Sequence, residues 1–328
     1  MAVTLNPSSS VKSVDRAKLE VRSQSQWGLA WRRFRRNKLA IVSGFILIGF
    51  LLVAFLAPVI SPHNPLSDKS GKDFVPPIFI AKSPAGRSPD ATYILGTDQQ
   101  GRDVLSRLIY GTRTSLLVGL LPTAVVLIIG TLIGFWAGLA GGSTDNILMR
   151  INDVFYAFPD VLLLILANVA FGDTPFGKTW NGLLLFVTAL GVVSWSGLAR
   201  LMRGSAMSIK TLDYIAAARS LGMGNWQVMT RHILPNSLSV MVVWAALAIP
   251  AFVLTETVLG FLGVGLKPAL ELSQVFVASW GRLLLDARSV IEAQPWFLIC
   301  TCFTIALFVI AFTFFGNGVR DALDPRQK

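Results

Sequence analysis

Charge is scarce in this chain. Of its 328 residues, 14% are Asp, Glu, Lys or Arg, where an ordinary soluble domain carries about a quarter. A soluble fold of this length needs more polar surface to stay dispersed, so the shortage argues against one. Histidine and cysteine are scarcer, at two residues each. His63 and His232 are far apart and fall on opposite sides of the membrane in the topology derived below, which excludes a His-based metal or catalytic site. Cys300 and Cys302 stand two apart in one apolar segment. A helix points such a pair to different sides, so neither a disulfide framework nor a metal site is implied. There is no G-x-x-x-x-G-K-[ST] phosphate loop, and hence no ATP site of that kind. No solenoid-type repeat is visible.

What is abundant is apolar length. The chain is 53% hydrophobic, and Leu39–Ile60, Ser115–Leu139 and Pro295–Val319 run for 22, 25 and 25 residues without a charge. Each exceeds the roughly 18–20 residues that cross a hydrocarbon core as a helix. Asn181–Ala199 and Ser237–Thr255, 19 residues each, also qualify. Val161–Gly172 has only 12, and extending it back to Phe155 takes in Pro159 and Asp160. It counts as a sixth span, because without it the charged loops fall on inconsistent sides.

The net charge of +11 suggests nucleic acid until its distribution is considered. Nine of the 29 Lys and Arg residues precede the first span, including "RRFRRNK" at Arg32–Lys38. Basic residues beside a span are held at the cytoplasmic face and attracted to anionic lipid. No nucleic-acid partner is therefore expected, and both termini are expected in the cytoplasm. The Ser61–Thr114 loop is then external although it holds seven Lys and Arg. The N-terminal cluster decides, since the first helix usually dominates. The expected division is a partly mobile cytoplasmic segment 1–38, a first span 39–60, an external loop 61–114, a five-helix core 115–320 and a cytoplasmic tail 321–328. The cytoplasmic loop 203–236 lies within the core.

Several local features carry expectations. Asp98 is placed to cap a helix starting near Gln99. Val104, Leu105, Leu108 and Ile109 then share one face, and Asp103 and Arg107 sit four apart where they can pair. The result would be a short amphipathic helix on the outer surface. Pro122 and Pro250 fall inside spans and mark kinks. Gly141 and Gly142 end a helix, and Asp145 can start the next, on which Ile147, Ile151, Val154 and Phe155 follow helical spacing. In the last external stretch, Gly265–Gln294, the residues Val277, Trp280, Leu283, Leu284 and Ile291 suit an interfacial helix. Trp280 and Trp296 suit the headgroup zone. Glu256, an ionisable residue toward the outer end of the fifth span, either faces a translocation path or snorkels to the interface. Asn168 is a substrate contact or a helix–helix hydrogen bond. Asp160, beside Pro159, reads as a helix-start charge.

The stretch "DYIAAARSLGMGNWQVMTRHILPN", residues 213–236, is polar and lies between two spans. Ala216, Ala217 and Ala218 favour helix. Gly222 stops it, and Gly224 allows a reversal. Asn225 is a good cap for a second helix, along which Trp226, Met229 and Ile233 form an apolar stripe. Pro235 opens the fifth span. The product is a rigid knob with exposed apolar surface, which marks either a docking site or an elbow lying on lipid.

The alanine pair Ala217–Ala218, Gly222 and Leu234–Pro235 resemble the signature loop of ABC-importer permeases. "LGTDQQGRDVLSRLIYGTRTSL" (95–116), "RHILPN" (231–236), "ETVLGFLGVG" (256–265) and "WRRFRRNKLAIVSGFILI" (31–48) look like the C-type permeases of dipeptide and oligopeptide importers. The resemblance covers the chain from about Trp27 onward. It implies an all-α integral membrane protein of six helices, with the type I (MetI-like) permease fold, in the cytoplasmic (inner) membrane of a prokaryote. It also implies a second homologous permease, two ATPase subunits that bind the ATP and Mg, and an extracytoplasmic solute-binding protein. The chain itself would be no enzyme and hold no cofactor or metal. Residues 213–236 would dock on an ATPase as a coupling loop, through Tyr214, Ala216, Ala217, Ala218, Leu221, Gly222, Met223, Gly224, Trp226 and Pro235. The family usually has a glutamate where this chain has Ala216, so docking would rest on shape and the apolar stripe. Di- or oligopeptides would be the cargo, delivered by the binding protein and moved by alternating access. The same architecture also imports nickel complexes, sugars or other small solutes. A stand-alone secondary transporter would favour inverted repeats and midplane charges. A membrane enzyme would need a nucleophile with a base or a metal cluster. Neither pattern is present.

Overall fold

The computed structural model describes residues 26–67, 71–269 and 277–323, so the N-terminal residues expected to be mobile lie outside the described part. All regular structure among these residues is helical. A short helix α1 (Gln26–Phe34) leads into α2 (Lys38–Ile60), whose first turn is capped by the Asn37 side chain accepting from the Ala40 N–H. Then follow α3 (Val104–Ala140), α4 (Gly142–Ala157), α5 (Asp160–Phe171) and α6 (Leu183–Ile209). The remainder is α7 (Asp213–Ser220), α8 (Asn225–Val228), α9 (Leu234–Phe261), α10 (Trp280–Ser289) and α11 (Pro295–Leu323). Five helical stretches are long and apolar enough to cross a membrane, or six if a bent pair counts as one span.

That bent pair is the weak third span. Helices α4 and α5 meet at 81°. The cause is local: Pro159 follows Phe158, and a residue before proline is pushed out of the helical region. Phe158 is extended there, at φ −88 and ψ 137. Asp160 then opens α5 as expected. Gly141 ends α3 at φ +65, and Gly142 begins α4 rather than ending a helix.

The expected surface helix before the second span is absent as a separate element. Its residues belong to α3, which starts at Val104 and runs on through Pro122 to Ala140. Its cap is Asp103, accepting from the Ser106 N–H, and not Asp98. Asp98 instead accepts from Arg102 at 2.8 Å and from Arg107 at 2.5 Å. Arg107 ignores Asp103, four residues away, and donates its second nitrogen to Asp286 at 2.7 Å. Asp103 faces His63 at 3.3 Å.

The end of the bundle formed by the start of α3 and the end of α9 closes over α10. Trp280 and Leu283 are fully buried, Val277 and Trp296 nearly so, and Trp280 donates toward the Leu108 carbonyl. Trp280, Leu283 and Trp296 join Val104, Leu116, Phe297 and Phe308 in an apolar cluster, so α10 is a packed element and not an interfacial one. Both tryptophans pack inside the fold instead of lying on its surface. Only Ile291 of the expected face is exposed. Gly260 and Gly281 make this possible: a Cβ on Gly260 would sit 2.7 Å from the Gly281 backbone.

The central pair is α3 and α6. Gly130, Gly134 and Gly138 form two overlapping small-xxx-small repeats on α3. Such spacing lets helix backbones approach closely in a membrane. A Cβ on Gly134 would come within 2.3 Å of the Ala199 carbonyl, and one on Gly138 within 2.7 Å of Ala206 Cβ.

Candidate functional site

The polar stretch between α6 and α9 is a helical hairpin. Helix α7 ends at Leu221, and Gly222 takes φ +87, a conformation that costs a side chain energy. The Gly222 N–H donates to the Arg219 carbonyl at 2.9 Å, and the Met223 N–H to the Ala218 carbonyl at 3.2 Å. These two bonds are the Schellman termination. Gly224, not Asn225, is the cap of the returning helix, with extended φ −76 and ψ 165. Its N–H donates to Gln227 Oε1. Asn225 lies in the first turn, and its side-chain oxygen accepts from Arg219 across the turn.

The second helix does not stop at the membrane. α8 passes through a π-helical turn, Met229–Ile233, directly into α9. π-Turns occur frequently at functional sites. Pro235 falls at the start of α9, immediately after the π-turn.

The hairpin has a buried floor and an exposed tip. Ile215, Val228, Met229 and Ile233 join the same apolar cluster as Phe135, Leu139 and Met202 of α3 and α6. The expected exposed stripe is therefore only partly present. Trp226 is 60% exposed, but Met229 and Ile233 point inward at 4% and 0%. The outward apolar groups are instead Leu212, Tyr214, Leu221 and Trp226, with Leu221 the most exposed at 85%. Ala216, Ala217, Gly222 and Gly224 also face solvent, while Ala218 is buried and Met223 half-buried. Tyr214 lies beside the His232 ring, with centroids 5.8 Å apart.

Ion pairs fix the hairpin's root. Arg203 of α6 grips Asp145 of α4 with two bonds of 2.5 and 2.6 Å. Lys210 donates to the Gly138 carbonyl at 2.6 Å. Arg200 lies over the Tyr156 ring and reaches Asp153. In the sequence these cations register only as sidedness; a basic residue at every third or fourth position of a helix end would have signalled anchoring.

The two possible path residues are placed apart from the hairpin. Glu256 is fully buried within the chain rather than on an open wall. Asn168 donates to the Val264 carbonyl at 2.9 Å, tying α5 to the end of α9. Among the described residues no cluster of His, Cys, Asp or Glu could hold a metal.

Comparison with known proteins accords with this architecture. Residues 130–328 match the family of binding-protein-dependent transport system inner membrane components. Residues 25–77 match the N-terminal transmembrane domain of oligopeptide transport permease C. The dipeptide transport system permease protein DppC of Bacillus subtilis is 35% identical, over 91% of this chain and 85% of its own. The oligopeptide transport system permease protein OppC of Escherichia coli K12 is 36% identical over 95% of both. The glutathione transport system permease protein GsiD of Pectobacterium atrosepticum is 35% identical over 93% of both. In fold, the chain resembles the inward-facing MetNI methionine ABC transporter, with a TM-score of 0.51 at 17% identity, over 66% of this chain and 96% of that one. The chain belongs to the family of binding-protein-dependent transport system inner membrane components, the membrane permeases of ABC importers.

Proposed function

We propose that this chain is one of two permeases of an ATP-driven peptide importer, and that residues 213–236 are its coupling loop. The hairpin seats in a groove of an ATPase subunit, and ATP and Mg belong to that subunit. A second permease and an extracytoplasmic binding protein complete the assembly. Both termini then lie in the cytoplasm. Named relatives transport dipeptides, oligopeptides and glutathione, itself a tripeptide, which favours a peptide cargo. The exposed Ile147, Ile151 and Val154 of α4, with the apolar groove between α5 and α6, supply surface for the partner permease within the bilayer.

The observation that carries this reading is the tip. Leu221 is 85% exposed although its backbone is fixed by the Schellman turn above a buried floor. A rigid apolar projection of this kind marks a docking surface. The test is Leu221→Asp in the assembled importer, reconstituted with its binding protein. Peptide uptake should fall at least tenfold, and co-purification of the ATPase should weaken, while membrane insertion is unchanged. Normal uptake with a normal complement of ATPase would sink the assignment.

A further inference from the structure

Beside α2 lies a second feature that the transport reading does not use. An apolar groove of about 680 Å³ opens between α2, α3 and α11. Ile41, Phe45, Ile48 and Leu51 form one wall, and Phe312 and Phe315 another. Its polar end is closed by Trp31, Phe34 and Arg35 of the α1 turn. Trp31 stacks on Phe34 at 6.1 Å, and Phe34 meets Phe315 edge-on at 5.7 Å. Arg35 lines that mouth, and Arg32 and Arg36, its neighbours in sequence, are exposed with it. None of the three is paired with a carboxylate among the described residues.

The dimensions and the charge select an occupant. From Ile41 to Leu51 is ten residues, or roughly 15 Å of helix rise. That is half of the roughly 30 Å hydrocarbon core, the depth of one leaflet. A transmembrane helix of a partner would need the full thickness. Apolar walls one leaflet deep, with arginines at the headgroup level, match a lipid with a negative headgroup. Trp31 sits where interfacial tryptophans prefer to be.

We propose that this groove is a binding site for an anionic phospholipid, with one acyl chain along α2 and the phosphate on Arg35. The inference goes beyond the importer reading and borrows from it only the side of the membrane, the cytoplasmic leaflet. The site would tether α1, and through the Asn37 cap the start of α2, to the charged lipid surface.

The test uses the assembled importer in mixed micelles and reads quenching of Trp31, taken as the difference from Trp31→Phe. Brominated phosphatidylglycerol should quench Trp31 at a several-fold lower lipid fraction than brominated phosphatidylcholine. Arg35→Ala should erase about fivefold of that preference, the factor for one basic residue at a charged lipid surface. Gly44→Leu, which fills the groove without touching charge, should reduce quenching by both lipids. Equal quenching by the two lipids, or a preference that survives Arg35→Ala, overturns the proposal. So does a Trp31 shielded from both lipids, since a polypeptide then occupies the groove. Because none of these readings involves uptake, a failure here is separate from a failure of the coupling loop.

Discussion

Arg107 is 4% exposed and lies between two nearly buried carboxylates, Asp98 and Asp286. Its charge, together with those of Arg102 and Arg282, is what allows them to sit together. Arg102 bonds Asp98 and lies 3.7 Å from Asp286, and Arg282 also pairs with Asp286, so both carboxylates keep a partner when Arg107 is removed and the cost stays below the roughly 3–5 kcal/mol of a buried charge left unpaired. Arg107→Ala should therefore lower the midpoint of thermal unfolding of the detergent-solubilised importer, with Arg107→Lys falling between. A midpoint unchanged by Arg107→Ala would mean that water already screens the network. This site was half legible. The sequence presents Asp103 and Arg107 at pairing distance on one helix, and local spacing favours that pair. Asp103 is instead consumed as the cap, and the partners that win are a turn residue and one 179 positions away. No local pattern encodes the second. The hairpin residues illustrate the same limit. The helix, the stop at Gly222 and the opening of α9 were readable, because glycine and proline act locally. That Met229 and Ile233 turn inward depends on α3 and α6 offering an apolar floor, which periodicity along one helix does not reveal.

Helix pairing here is controlled by hydrogen-sized side chains. The α3–α6 contact leaves no room at Gly134, where a Cβ would meet the Ala199 carbonyl at 2.3 Å and Met202 Cβ at 2.8 Å. Gly134→Val should force the pair apart at a cost of about 1–3 kcal/mol, as overpacking does. Gly204→Ala on α6, with nothing within 4 Å, is the control and should be neutral. Limited proteolysis of the importer in membranes would read the difference; equal protection of the two variants would refute the close-contact account. Charge-free length alone was enough to find five spans. It misjudged their ends: α3 begins eleven residues before the apolar run, because Val104 and Leu108 pack under α10 rather than on lipid. The third span is broken since a proline outweighs twelve apolar neighbours.

At the scale of the molecule, two apolar clusters divide the labour. The larger joins the hairpin floor to α3 and α6, and the smaller closes the opposite end around Trp280 and Phe308. Under the proposed coupling role, displacement of the hairpin tip passes into the bundle as a rigid movement, provided its root holds. Arg203→Ala removes the two-bond grip on Asp145, charge-assisted bonds worth about 1.5–3 kcal/mol each. We predict fewer peptides moved per ATP hydrolysed, several-fold, in an importer that still assembles. Uptake and hydrolysis falling in parallel would show that the root serves stability alone. The opposite end holds a consequence of another kind, one of timing. Asp98 and Arg107 are made early, while Asp286 follows Arg107 by 179 residues. At ordinary rates of synthesis that is a delay of roughly 10–35 seconds. Throughout that interval the segment around Asp98 and Arg107 lacks the carboxylate and the tryptophan that finish its packing. Packing at this end of the bundle is thus completed only once α10 and α11 have been made.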